Sequence, residues 1–201
     1  MWLQKTGRNT KRLESTLGAA LALLAALAAG GCSAAYVEGN TSSVLLVVET
    51  IAGGAPLLSD VRDDQGVVFN CHAEVKVSTR AKNQIGVGPG PAEDVRVTRY
   101  SVSYRRSDGR GTQGLDVPYT ISGNLAAIIL VNESTTFSLD LVRHQAKLEP
   151  PLSNISGFQV VTMFADVTIS GETISGKAVT ASGSAQITFA DFVGTPESCE
   201  G

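Results

Sequence analysis

Val161-Thr162-Met163-Phe164-Ala165-Asp166-Val167-Thr168-Ile169 carries an apolar side chain at every odd position. A strand sends successive side chains to opposite faces, so this period of two predicts a half-buried strand, whereas a helix would repeat its apolar positions every three to four residues. Ser170-Gly-Glu-Thr173 supplies turn residues, and the chain returns through residues 174–189 with Ala185, Ile187 and Phe189 on the inward side and an expected kink at Ser182-Gly-Ser184.

The same rhythm recurs upstream. Phe69, Cys71, Ala73, Val75 and Val77 alternate with Asn70, His72, Glu74 and Lys76, which points Cys71 inward and His72 to solvent. Val44-Leu-Leu-Val-Val48 is continuous and apolar, and reads as a strand covered on both faces. Between residues 94 and 104 the phase slips: Val95 and Val97 share one parity, Tyr100, Val102 and Tyr104 the other. A β-bulge near Thr98-Arg99 repairs such a slip. Ser107-Asp-Gly-Arg-Gly111 is a turn signal, and Leu115, Val117, Tyr119 and Ile121 resume alternation, which predicts a hairpin with Pro118 on an edge. Ser122-Gly-Asn124 reads as the next turn, before an apolar run over residues 125–131 and a strand bearing Phe137, Leu139 and Leu141. Pro150-Pro151 marks a stiff crossover loop.

Past residue 32 no segment sustains a helical period. Seven to nine short strands between Gly, Pro, Asn and Ser turns predict an all-β domain over residues 43–192, a single antiparallel β-sandwich, with a closed barrel as runner-up. That rhythm resembles the immunoglobulin-like or fibronectin-like modules of bacterial envelope proteins. The antibody-type Trp between two cysteines is missing, since the one Trp is Trp2.

Lys5, Arg8, Lys11 and Arg12 precede the apolar stretch from Leu17 to Ala29, which closes on Gly30-Gly31-Cys32. A basic head, an apolar core and small residues before a cut point form a secretory signal peptide, and the core is shorter than the roughly 20 residues that span a bilayer. Ala29-Gly30-Gly31-Cys32 resembles the lipobox of bacterial lipoproteins. The resemblance implies cleavage after residue 31 and a lipid on Cys32; the small polar residues 33–42 then read as a tether, so that residues 32–42 form a lipidated, tethering N-terminus, and residues 193–201, past the last strand pattern, read as a C-terminal tail. Each buried methylene adds about 0.8 kcal/mol, so several acyl chains hold permanently. Ser33 and Ala34 follow the cysteine where inner-membrane retention favours Asp, so the resemblance implies the outer membrane, facing the periplasm or the cell surface.

Cleavage leaves 170 of the 201 residues, with 12 basic against 18 acidic side chains and a net charge of −6. An acidic body of this kind disfavours nucleic acid as a partner. Cys71 and Cys199 remain after lipidation and, outside the cytosol, read either as a disulfide or as two unpaired residues. There is no Gly-x-Ser-x-Gly elbow, Walker loop or dinucleotide fingerprint, and His72 and His144 lack metal-ligand spacing. No catalysis, and no cofactor beyond the lipid, is therefore expected. Asp60, Asp63 and Asp64 offer three oxygens to calcium, but Arg62 sits among them and the spacing departs from the Asp-x-Asp-x-Asp-Gly loop. Arg96, Arg99, Arg105, Arg106 and Arg110 make five of the 12 basic residues. With a bulge in place Arg99 and Arg105 share an outward face and Arg110 lies at a tip, able to bind carboxylate or phosphate, or to protect an edge from foreign strands. The expected function is a lipid-anchored binding or structural module of the envelope, engaging a protein partner. A polysaccharide ligand is weakened by the 5% aromatic content. A hydrolase site assembled only by folding is the third reading.

Overall fold

The structure, a computed structural model, describes residues 42–83, 88–192 and 199. Cys32, the tether up to residue 41, the signal segment and the rest of the C-terminal tail lie outside the described residues. Among the described residues eight strands follow one another: β1 (Val44–Ile51), β2 (Leu57–Asp60), β3 (Cys71–Ala81), β4 (Val95–Arg106), β5 (Ile121–Ile129), β6 (Ser134–Val142), β7 (Val161–Thr173) and β8 (Ala178–Ala190). A single helical turn, α1 (His144–Leu148), follows β6. The strands form a three-stranded sheet in the order β1-β3-β6 and a five-stranded sheet in the order β2-β8-β7-β4-β5.

Alternation builds one shared core. Val75, Val77 and Leu141 from the smaller sheet and Val102, Met163, Val167, Ile187 and Phe189 from the larger are completely buried in one cluster. Burying each such side chain stabilises by about 1.5–3 kcal/mol, which is the driving force that selects this register. Tyr104 ties the sheets together with a polar link, its hydroxyl donating to the Leu141 carbonyl at 2.6 Å. Burial of that ring raises the phenol pKa well above its ordinary value.

The bulge lies where the phase slip placed it. Pairing of β4 with both β5 and β7 shifts register between Val97 and Arg99. On β7 the facing residue is Gly171, where a Cβ would stand 2.3 Å from the Arg96 carbonyl oxygen. Only glycine fits so close an approach. Gly123 on β5 lies beneath the Tyr100 ring, and a Cβ there would reach 2.2 Å from it.

Several expectations give way. The architecture is not purely antiparallel: β2 pairs parallel with β8, Leu57 opposite Ile187 through Asp60 opposite Ala190. After β1 the chain turns through residues 52–56 and crosses to the other sheet, entering it alongside β8 instead of hairpinning back. The alternating residues 115–120 form no strand, because the Thr112 carbonyl accepts from the amides of Leu115, Asp116 and Val117 and curls the segment into turns. Pro118 therefore sits in a connection and not on an edge. Ser122-Gly-Asn124 is not a turn but the start of β5. β8 pairs with β7 without a register break, so no kink occurs at Ser182-Gly-Ser184; a Cβ on Gly183 would come within 2.7 Å of Val48, which packs there from β1. β1 is covered on one face only, with Leu45 47% exposed, since the smaller sheet packs on the larger through one face and turns the other to solvent, as the exposed His72, Glu74 and Lys76 of the central β3 also show.

The registers define two ends. Ser42 and Ser43, the 130–133 and 174–177 turns and Glu93 share one, here called the entry end. There the Glu93 carboxylate accepts from the Ser43 hydroxyl at 2.7 Å, the Lys177 ammonium at 3.0 Å and the Ser175 hydroxyl at 3.0 Å. The Ser43 hydroxyl, then Lys177, hold its pKa down at about 2. At the far end lie residues 61–70, 107–120, 143–160 and 191–192.

Candidate functional site

Three arginines stood out in the sequence, and the bulge does bring Arg99 and Arg105 to the solvent face of the larger sheet. They do not converge on one ligand. Six residues of strand separate them by about 20 Å. Arg105 is already engaged: its Nε donates to Asp166 at 3.0 Å, its Nη2 to Ser184 at 3.4 Å, and its guanidinium stacks 4.3 Å from the Phe164 ring centre. Arg110 closes a local turn on Asp108 at 2.7 Å, with Arg106 on the same carboxylate at 3.2 Å and Asp116 within 3.8 Å. The Arg110 hydrogen bond draws the Asp108 pKa to about 2, and the Arg110 pKa is raised in return. Arg96 faces Glu172 at 3.7 Å. Among the described residues only Arg99 of the three makes no ion pair, so the cluster is largely neutralised where it stands.

The acidic loop is committed in the same way. Asp63 Oδ1 accepts the amides of Gln65 at 2.9 Å and Val67 at 2.6 Å, an Asx-type turn. Asp60 Oδ1 accepts the amides of Arg62 at 3.3 Å and Phe192 at 3.2 Å, joining the 61–70 loop to the end of β8. Arg62 turns away to the Ile155 carbonyl at 2.9 Å. No three His, Cys, Asp or Glu side chains among the described residues are grouped to hold a metal ion. Beside this loop Lys147 is buried, with its ammonium on the Asp60 carbonyl at 2.6 Å, and burial lowers its pKa to about 8.

Cys71 and Cys199 are bridged as a disulfide, their Cα atoms 5.1 Å apart. The Cys199 amide donates to the Leu58 carbonyl at 3.1 Å, which sets Cys199 at the outer edge of β2.

Two features escaped the sequence reading. Register places His72 opposite Asp140, and Nδ1 meets the carboxylate at 2.7 Å. A carboxylate on Nδ1 leaves Nε2 as the free nitrogen, the orienting half of a general base. Ser138 lies on the same face of β6, and a hollow of about 520 Å³ is lined by His72, Glu74, Ser138 and Cys199 with Ala52, Gly53, Leu57 and Ala73. No hydroxyl among the described residues hydrogen-bonds His72. His144 is separate from this site, its ring and amide both meeting Asn70.

The second is apolar. Phe158 is fully exposed and Val160 is 61% exposed; with Gly157, Gln159, Ala190, Asp191 and Phe192 they line a cleft of about 450 Å³ at the far end. Gln159 and Asp191 are its polar exceptions. The signal in the sequence was present in Gly157-Phe158-Gln159-Val160, where a large ring follows glycine ahead of a strand, but nothing there distinguishes an exposed ring from a core one.

No protein-family model matches this chain, and no curated protein does. The solution structure of a candidate late embryogenesis abundant (LEA) protein is similar over 94% of each chain, at 10% identity and a TM-score of 0.41. A likeness at that level carries no argument about function.

Proposed function

We propose that this chain is a lipid-anchored module of the cell envelope, an immunoglobulin-like sandwich that holds a protein partner at its far end. The observation that carries the reading is the exposed Phe158 and Val160 around the far-end cleft. An exposed aromatic anchor beside an apolar hollow is the pattern of an interface hot spot. Ser42, where a tether from Cys32 would arrive, lies at the opposite end, and ten extended residues reach at most about 35 Å. Neutralisation of Arg105 and Arg110 favours this site over the arginine face. Crosslinking in intact cells followed by membrane extraction tests the reading. A reproducible envelope protein should be captured, Phe158→Ser should abolish capture, and Arg99→Ser with Arg105→Ser and Arg110→Ser should leave it intact. Capture indifferent to Phe158 overturns the site, and an unlipidated product starting before Cys32, seen by intact mass, overturns the anchor.

The His72–Asp140 pair supports a second reading, a hydrolase. Ester or peptide hydrolysis by the purified protein, abolished by His72→Ala and unaffected by Phe158→Ser, would favour it over the binding module.

A further inference from the structure

At its far end the solvent face of the larger sheet turns apolar. Leu57 and Ser59 are buried, so the period of two puts Leu58 and Asp60 on the outer face. Register sets Leu58 beside Thr188, Thr188 beside Thr162, and Asp60 beside Ala190. One step further along the β7–β8 ladder Val160 comes beside Ala190, and the two line the Phe158 cleft together. Leu58 is 50% exposed on the same face, so the apolar surface around Phe158 and Val160 continues past Ala190 toward β2.

The charge on this surface is negative. Asp191 lines the cleft, and among the described residues no hydrogen bond or ion pair engages its carboxylate. Asp60 stands on the other side of Ala190; its Oδ1 holds the Arg62 and Phe192 amides and its Oδ2 is left to solvent. Asp63 and Asp64 follow in the loop that Asp60 ties to Phe192. The neighbouring cations aim their donors inward. Arg62 Nη2 donates to the Ile155 and Ser153 carbonyls at 2.9 and 3.5 Å, and the buried Lys147 ammonium donates to the Asp60 carbonyl. Four carboxylates thus stand against two cations, both committed to main chain. On the β4 side Arg105 is closed by Asp166 and adds no net charge.

We infer that the cleft takes a segment of a protein partner in which an aliphatic or aromatic side chain is flanked by lysine or arginine. This inference rests on the binding-module reading and supplies the chemistry of the bound segment. The apolar side chain fills the hollow beside Phe158, where burial gives most of the affinity, and the carboxylate rim selects the sign of its neighbours. The fully exposed Phe158 ring attracts the same cations through its quadrupole. Other occupants meet like charge there. A second copy of this acidic chain brings the same carboxylates to the contact, and an anionic lipid surface repels them.

The test titrates the full-length protein into fluorescein-labelled, end-blocked peptides and reads anisotropy. Lys-Leu-Lys-Leu-Lys should bind saturably below about 1 mM, whereas Glu-Leu-Glu-Leu-Glu and Lys-Ser-Lys-Ser-Lys should bind at least about tenfold more weakly. Asp60→Asn combined with Asp191→Asn should weaken the Lys-Leu peptide about tenfold and reduce its salt dependence, while the amide oxygen at position 60 still accepts both backbone N–H groups. Phe158→Ser should abolish its binding, with the thermal transition showing that the fold is retained. Equal binding of the Lys-Leu and Glu-Leu peptides, both lost in Phe158→Ser, overturns the inference and leaves the cleft standing. Binding of the Lys-Leu peptide that Phe158→Ser leaves intact overturns the cleft itself. The inference also falls if the Lys-Leu peptide shows no saturable binding below about 1 mM. A dimer in sedimentation, or attachment to phosphatidylglycerol vesicles, that Phe158→Ser removes assigns the cleft to a second copy or to lipid and overturns it too.

Discussion

Replacing Cys199 with alanine removes the bridge to Cys71 while leaving a small apolar side chain where Cys199 is only 9% exposed. Cys71 is the worse position for the experiment, because it is completely buried and its truncation adds a packing defect. The bridge spans a sequence separation of 128 residues. Loop-closure entropy for that length, 2.1 plus 1.5R ln n, is about 16.6 cal/mol/K, or roughly 4.9 kcal/mol at 25 °C. Residual structure in the unfolded chain reduces the effect, so a loss of about 3–5 kcal/mol is expected, a large share of the 5–15 kcal/mol that holds a typical domain. Urea unfolding of the oxidised wild type and of Cys199→Ala measures it. With a slope near 2 kcal/mol/M the midpoint should fall by about 1.5–2.5 M, and the slope should rise because the unbridged unfolded chain is more expanded. A midpoint shift below about 0.3 M with an unchanged slope refutes the reasoning. Two alkylatable thiols in the folded, oxidised protein refute it sooner.

Three further outcomes follow from local chemistry. Glu93 has its pKa lowered to about 2 in the folded state, so its contribution is present above about 4.5 and is lost as the pH falls through 2; Glu93→Gln should cost about 1–2 kcal/mol at pH 7 and flatten the acid limb of a stability–pH profile. Lys147 has its pKa lowered to about 8, so between there and 10.5 the unfolded chain binds more protons and stability should rise with pH from 8 to 10, a slope that Lys147→Met should remove in urea titrations. Gly171→Ala forces a Cβ against the Arg96 carbonyl and should cost about 1–3 kcal/mol by thermal unfolding, whereas Gly176→Ala, in open space at φ +85°, tests backbone strain alone.

The strands at residues 71–81, 95–106 and 161–173 were readable because a period of two records only which face of a strand is buried, a local property. The bulge at Thr98 was readable for the same reason, as a one-residue slip of that period. Residues 115–120 and Ser122-Gly-Asn124 misled because alternation and turn propensity are weak where hydrogen bonds to Thr112, or a ring such as Tyr100 over Gly123, decide the backbone. No local pattern distinguishes a strand that hairpins from one that crosses sheets, so the parallel entry of β2 beside β8 was invisible. The candidate sites followed the same division. Arg105 could be placed outward from parity, but its neutralisation by Asp166 rests on pairing across 61 residues. His72 meets Asp140 only through the β3–β6 register.

By itself the sequence determined an all-β chain, the faces of its strands, and the inward position of Cys71. Tertiary structure alone decided which strands are neighbours, that Cys199 reaches Cys71, that Arg105 and Arg110 meet acids, and that Phe158 stays in solvent. The physical reason is range: side-chain periodicity is set by steric and solvation preferences within a few residues, whereas pairing is chosen by how two whole sheets bury one core, a quantity no segment carries alone.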